Sequence, residues 1–196
     1  MGDILLTADA VVTMDAANRV IPKGGVLVRG AEIVAVDEAV ALRAEHPQAA
    51  VRNYADHVLI PGLINAHAHS GLLRGTAEHL PVWEWLTQHI NPMHRVLNVE
   101  EAKAASYLCY AESALSGVTT VVDMWRFMHG SAEAATDLGT RLVAVPYVGE
   151  HPDYDYFERL DGNEALIESW DGKADGRINV WVGLEHWFYA DEAGQR

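Results

Sequence analysis

Up to residue 57 the apolar positions come in short bursts. Ile4 to Thr7, Val11 to Met14, Val26 to Arg29 and Ile33 to Val36 are brief β-favouring runs. Asp15 to Asn18 and the Lys23-Gly24-Gly25 triplet supply turn chemistry between them. Glu38 to Glu45 predicts one short helix, which His46-Pro47 stops. Residues 1–57 therefore read as a small β-rich domain with no catalytic constellation of its own.

From Val58 the pattern changes. Val58-Leu59-Ile60-Pro61-Gly62-Leu63-Ile64 is nearly all apolar, as expected of a strand buried on both faces. Asn98 then predicts a helix start, with Glu101 placed for a capping box and Gly117 as the stop. Thr119 to Asp123 predicts a second buried strand, and Ser131 to Leu138 a helix closed by Gly139. Arg141 to Val148 follows as a strand, Asn163 to Trp170 as a helix and Ile178 to His186 as a fourth strand. Strands and helices alternating over short links mean βαβ units and a parallel sheet. Residues 58–196 thus carry four βα units, the first half of a (β/α)8 TIM barrel, which needs about 250 residues when whole. Asp191-Glu192-Ala193 reads as the start of a further helix. Half a barrel has two open edges, so the remaining half is expected from the same or a second polypeptide. A self-sufficient doubly wound sheet is the alternative.

Composition narrows the function. The 196 residues carry 28 acidic side chains against 14 Lys plus Arg, a formal net charge of −14. That balance disfavours nucleic acid and anionic membrane surfaces as partners. No apolar run approaches the roughly 18 residues of a membrane helix, and no signal peptide is visible. Cys109 is the single cysteine, so no internal disulfide can form and a reducing cytoplasm fits. Its apolar, helical surroundings suit a buried structural thiol rather than a nucleophile.

The sharpest chemical signal is His67-Ala68-His69 after the strand that contains Pro61-Gly62. Residues two apart on a strand project to the same face, so both imidazoles can converge on one divalent metal. Metal–nitrogen bonds of about 2.0–2.1 Å suit that arrangement. An isolated His-x-His pair is a weak signal; the buried strand before it and the βαβ units after it strengthen it. The C-terminal end of a barrel strand is also where such enzymes place their catalytic groups.

The stretch Leu59 to His69 resembles the metal-binding strand of the amidohydrolase superfamily. Leu72-Leu73-Arg74-Gly75, with Leu80-Pro81 and Trp85-Leu86, is similar to the loop after the first strand in its deaminase and triazine hydrolase branch. Gly117 to Met124 resembles that branch's second strand, and Gly183-Leu184-Glu185-His186 with Trp187-Phe188-Tyr189 its fourth. The β-rich start suits the family's small sandwich-type domain. The resemblance implies His67 and His69 as metal ligands and His186 as a substrate contact, a strand-closing histidine being the plainer reading of the last. Glu185 would point away from His186, so one of the two would face the pocket. His94 stands near where nucleoside-type deaminases carry a ribose-holding carboxylate, which argues against a nucleoside.

Asp123 is placed either to orient a ligand histidine or to make a structural hydrogen bond. His129 is as well suited to a surface or capping role as to substrate. Among Trp83, Trp85, Trp125 and Trp187, some would line a pocket for a flat ring, Trp85 foremost, and the others would simply pack. The remaining histidine ligands and the acid–base residues of the family follow the fourth strand, so no catalytic acid or base is expected within these residues, and this segment alone should turn nothing over. When whole, and as a homo-oligomer, it is expected to hydrolyse a C–N or C–Cl bond of a small N-heterocycle with a divalent metal. Zinc is the first choice, with iron or manganese also suited to two histidines. The rival expectation is a split or relict barrel that binds a partner without catalysis.

Overall fold

The computed structural model describes residues 2–72, 75, 79–150 and 154–185. The chain divides into two compact units, Met1–Pro61 and Gly62–Arg196.

In the first unit, β1 (Ile4–Val12) is the organising strand. It pairs antiparallel with β2 (Val20–Pro22) and β3 (Gly24–Arg29), and parallel with β5 (Ala50–Leu59). The strand β4 (Glu32–Glu38) extends the sheet beside β3. Helix α1 (Ala39–Glu45) contributes Leu42 to a small core with Leu5 and Leu27. The predicted turn at Asp15 to Asn18 forms, with the Asp15 carbonyl accepting from Asn18 N at 2.8 Å and its carboxylate from Arg19 Nε at 2.8 Å. The described residues of this unit give one mixed sheet and one helix.

The apolar run around Pro61 is not one strand. Val58 and Leu59 end β5, while Leu63 and Ile64 open β6 (Leu63–Ala68) in the second unit. Nor is it buried on both faces, because Ile64 is 67% exposed. The cause is local: proline offers no N–H to a ladder, and among the described residues β6 is an edge strand paired with β7.

The second unit carries a parallel sheet in the order β6, β7 (Val118–Trp125), β8 (Arg141–Pro146) and β9 (Ile178–Val180). A helical stretch separates β6 from β7: α2 (Val82–Trp85), a π turn (Leu86–Ile90), α3 (Asn91–Val96) and the long α4 (Val99–Leu115). The predicted capping box forms, since Asn98 Oδ1 accepts from Glu101 N at 3.0 Å and Glu101 Oε2 from Asn98 N at 3.1 Å. Helices α5 (Met128–Leu138) and α6 (Leu160–Trp170) complete the alternation. Val121, Leu142, Ala144 and Ile178 from the sheet pack with Ala132, Ala135 and Leu166 from the helices. Among the described residues no helix is long and apolar enough to cross a membrane.

Candidate metal centre and the cavity beside it

The C-terminal ends of β6, β7 and β8 meet around His69. As period-2 geometry requires, His67 and His69 lie on one side of the chain, with ring centroids 4.5 Å apart in a T-shaped arrangement. His69 Nδ1 lies 2.7 Å from the Met124 carbonyl, so that nitrogen carries the proton and donates it. The Nε2 lone pair is thereby left for a cation, the tautomer that a metal-ligating imidazole needs. Tyr147 Oη lies 3.0 Å from the same Nδ1. Burial lowers the His69 pKa, and the neighbouring His67 adds to that, while the bond to Met124 opposes it. A neutral imidazole is the form that binds metal, so His69 fits a divalent ion. Among the described residues no group of three His, Cys, Asp or Glu able to hold a metal comes together.

Beside the pair opens a cavity of about 450 Å³. Trp83, Trp85, Tyr154, Tyr156 and Phe157 give it an aromatic lining, and Glu185 adds a carboxylate. Glu185 is placed by the end of β8, because its N–H donates to the Val148 carbonyl at 2.9 Å. The helical stretch from Val82 to Val96 brings Trp83 and Trp85 to this wall. That size and lining suit a small flat molecule.

His94 also lines this cavity, yet it is only 2% exposed. Its ring lies between Tyr156, at 4.4 Å with the planes 3° apart, and Trp125, at 4.5 Å and 28°. Burial drives its pKa down to about 3, helped by the positive charges of Arg126 and Arg95, so the ring is neutral. Arg126 donates to the His94 carbonyl and stacks on Phe127 at 4.5 Å. Gly71 lets the Trp125 indole approach, because a Cβ there would sit 1.6 Å from Nε1. Trp125 is buried beneath the pocket wall rather than part of its lining.

Other sequence candidates find plainer places. His129 accepts from the Trp170 indole at 3.0 Å. Asp123 touches neither histidine by hydrogen bond; it accepts from Ser70 and Tyr110. His186 and Trp187 lie outside the described residues, as do Leu73 and Arg74. Tyr147, Tyr154, Tyr156 and Phe157 were not singled out by sequence; the Tyr154-Asp155-Tyr156-Phe157 run was the available signal for three of them, while Tyr147 joins through the fold.

Comparison with known proteins agrees with this arrangement. Residues 58–193 match the amidohydrolase family. A 5-methylthioadenosine/S-adenosylhomocysteine deaminase of Syntrophobacter fumaroxidans is 39% identical over 185 residues, covering 92% of this chain and 42% of the relative. A 5'-deoxyadenosine deaminase of Methanococcoides burtonii is 33% identical over 187 residues, covering 93% and 42%. The chain therefore spans about two-fifths of the length of these relatives. Among solved structures, a zinc-bound adenosine deaminase from Xanthomonas campestris superposes with a TM-score of 0.81 at 27% identity, over 93% of this chain and 43% of that one. Atrazine chlorohydrolase from Arthrobacter aurescens TC1, solved with zinc, gives 0.81 at 23% identity, over 96% and 48%, a likeness of fold. With the histidine pair at the strand end, the parallel βα units behind it and the family match across both, this chain belongs to the amidohydrolase family.

Proposed function

We propose that the complete protein hydrolyses an exocyclic C–N bond of a small planar N-heterocycle, with zinc held in part by His67 and His69. The observation that carries this reading is the histidine pair itself: two rings in contact beside an aromatic cavity, one of them tied through Nδ1 to Met124 so that Nε2 is left for a cation. A divalent ion there supplies Lewis-acid activation of water near neutral pH. The deaminase relatives and the zinc in two similar structures support both the chemistry and the metal.

The chain's own residues then bind and orient. Trp85 and Trp83 offer faces against which a flat ring stacks. Glu185, the member of the Glu185–His186 pair that lines the cavity, offers an acceptor to an amino group or ring N–H. His94, 2% exposed and held between Tyr156 and Trp125, backs the aromatic wall and leaves no ring face for the substrate. With no carboxylate at position 94 to hold ribose hydroxyls, the proposed substrate is a free heterocycle rather than a nucleoside. The acid–base residues and the remaining ligands come from the rest of the barrel, a proposal supported by the relatives' greater length and by the exposed edge strand β6.

The test is ammonia release by the complete, zinc-loaded protein from aminotriazines, aminopyrimidines and guanine against adenosine and methylthioadenosine. The expected result is a kcat/KM at least about ten-fold higher for the free heterocycles. A preference for nucleosides would overturn the free-heterocycle reading. Chloride rather than ammonia from a chlorotriazine would move the reaction to C–Cl hydrolysis. No product and no bound metal would leave a non-catalytic barrel.

A further inference from the structure

Behind the histidine pair lies a buried polar cluster that the proposed reaction does not use. Asp123 on β7 is fully buried. Its Oδ1 accepts from Ser70 N at 2.9 Å, and its Oδ2 accepts from Ser70 Oγ and from Tyr110 Oη, each at 2.5 Å. Ser70 Oγ lies 2.8 Å from Ser106 Oγ, which lies 2.9 Å from Ser131 Oγ. Ser70 Oγ donates to Asp123, and Ser106 Oγ, which also reaches the Ala102 carbonyl at 3.1 Å, links Ser70 to Ser131.

A buried carboxylate is costly, and an apolar group of the same size is often no less stabilising. The cluster's placement indicates what the cost secures. Strand β6 loses regular register with β7 between Asn65 and Ala68, just before His69. At that point Asp123 takes the N–H of Ser70 in place of a ladder partner. Tyr110 and Ser106 come from α4 and Ser131 from α5, so two helices reach the residue next to His69.

We propose that Asp123 is a positioning residue for the metal centre: through Ser70 it locks the backbone that carries His69, and so sets metal affinity from behind the sheet. This rests on the reading that His67 and His69 hold a metal. Supporting partners of metal ligands commonly govern affinity by ten-fold or more.

The experiment uses the complete protein, stripped and titrated with zinc against a chromogenic chelator, with melting followed in EDTA. Asp123→Asn and Ser70→Ala are compared with Leu166→Ala, a core variant away from the site. We expect both cluster variants to bind zinc about ten-fold more weakly or worse. Leu166→Ala should stay within about two-fold while losing at least as much thermal stability. Should Asp123→Asn fail to fold, Ser70→Ala, a smaller change, decides the matter. Wild-type affinity in a folded cluster variant overturns this proposal alone. Wild-type protein that binds no zinc overturns the metal centre and this proposal with it.

Discussion

His94 illustrates how one side chain can be legible in position and hidden in role. Its place after Pro92-Met93 marked it for substrate, but its burial between Trp125 and Tyr156 depends on β7 and on the segment after β8, which no local pattern foretells. The burial has a pH signature. A histidine whose folded pKa lies near 3 takes up no proton between pH 6.5 and 3, whereas the unfolded chain does. Protons therefore favour unfolding in that window, and stability attributable to His94 falls on acidification by up to about 1.4 kcal/mol per pH unit. His94→Phe keeps the stack and removes the titration, so its loss of stability from pH 7 to pH 5 in urea melts should be smaller than that of wild type. An equal loss would mean that His94 is not the group responsible. Gly71 gives a second residue-scale prediction. Gly71→Ala drives a methyl into the indole of buried Trp125, and overpacking of this kind costs about 2 kcal/mol. Melting should detect it, and a melting temperature unchanged from wild type would contradict the close approach. The shared side of His67 and His69 was readable because strand alternation is a short-range rule; Tyr147 was not, since only the meeting of β6 and β8 brings it to His69.

At the scale of elements, strong punctuation was legible and quiet punctuation was not. The start of α4 was readable because Asn98 and Glu101 form a local motif. Asn98→Ala removes the side-chain half of that box and should cost about 1 kcal/mol in a denaturant melt, with no change in zinc affinity. A cost near zero would show that tertiary packing alone fixes the helix start. The helical stretch from Val82 to Val96 was not anticipated, because Leu80-Pro81 and Trp85-Leu86 resembled the family's loop after the first strand. In fact Pro81 precedes the first turn, and Pro92 follows a π turn at the second residue of α3, where a missing N–H costs little. That stretch matters to function, since it carries Trp83, Trp85 and His94 to one cavity. Strand β5 was also missed: Arg52, Asn53, Asp56 and His57 make it look polar, and its pairing with β1 spans about forty residues of chain.

For the molecule as a whole, the order of elements carried the fold class. Parallel strands joined by helices allow few arrangements, and the observed order β6-β7-β8-β9 is the simplest of them. What the first unit would become was less legible, since β-rich patterning does not separate one mixed sheet from two facing ones. The account's central claim concerns the second unit: its first strand carries two ligands of a zinc centre. The most direct measurement is the zinc content of the complete protein by mass spectrometry after exhaustive dialysis, for wild type and for His67→Ala/His69→Ala. The account predicts about one zinc per chain in wild type and essentially none in a double variant that still folds. Equal zinc in both, or none in either, would contradict it.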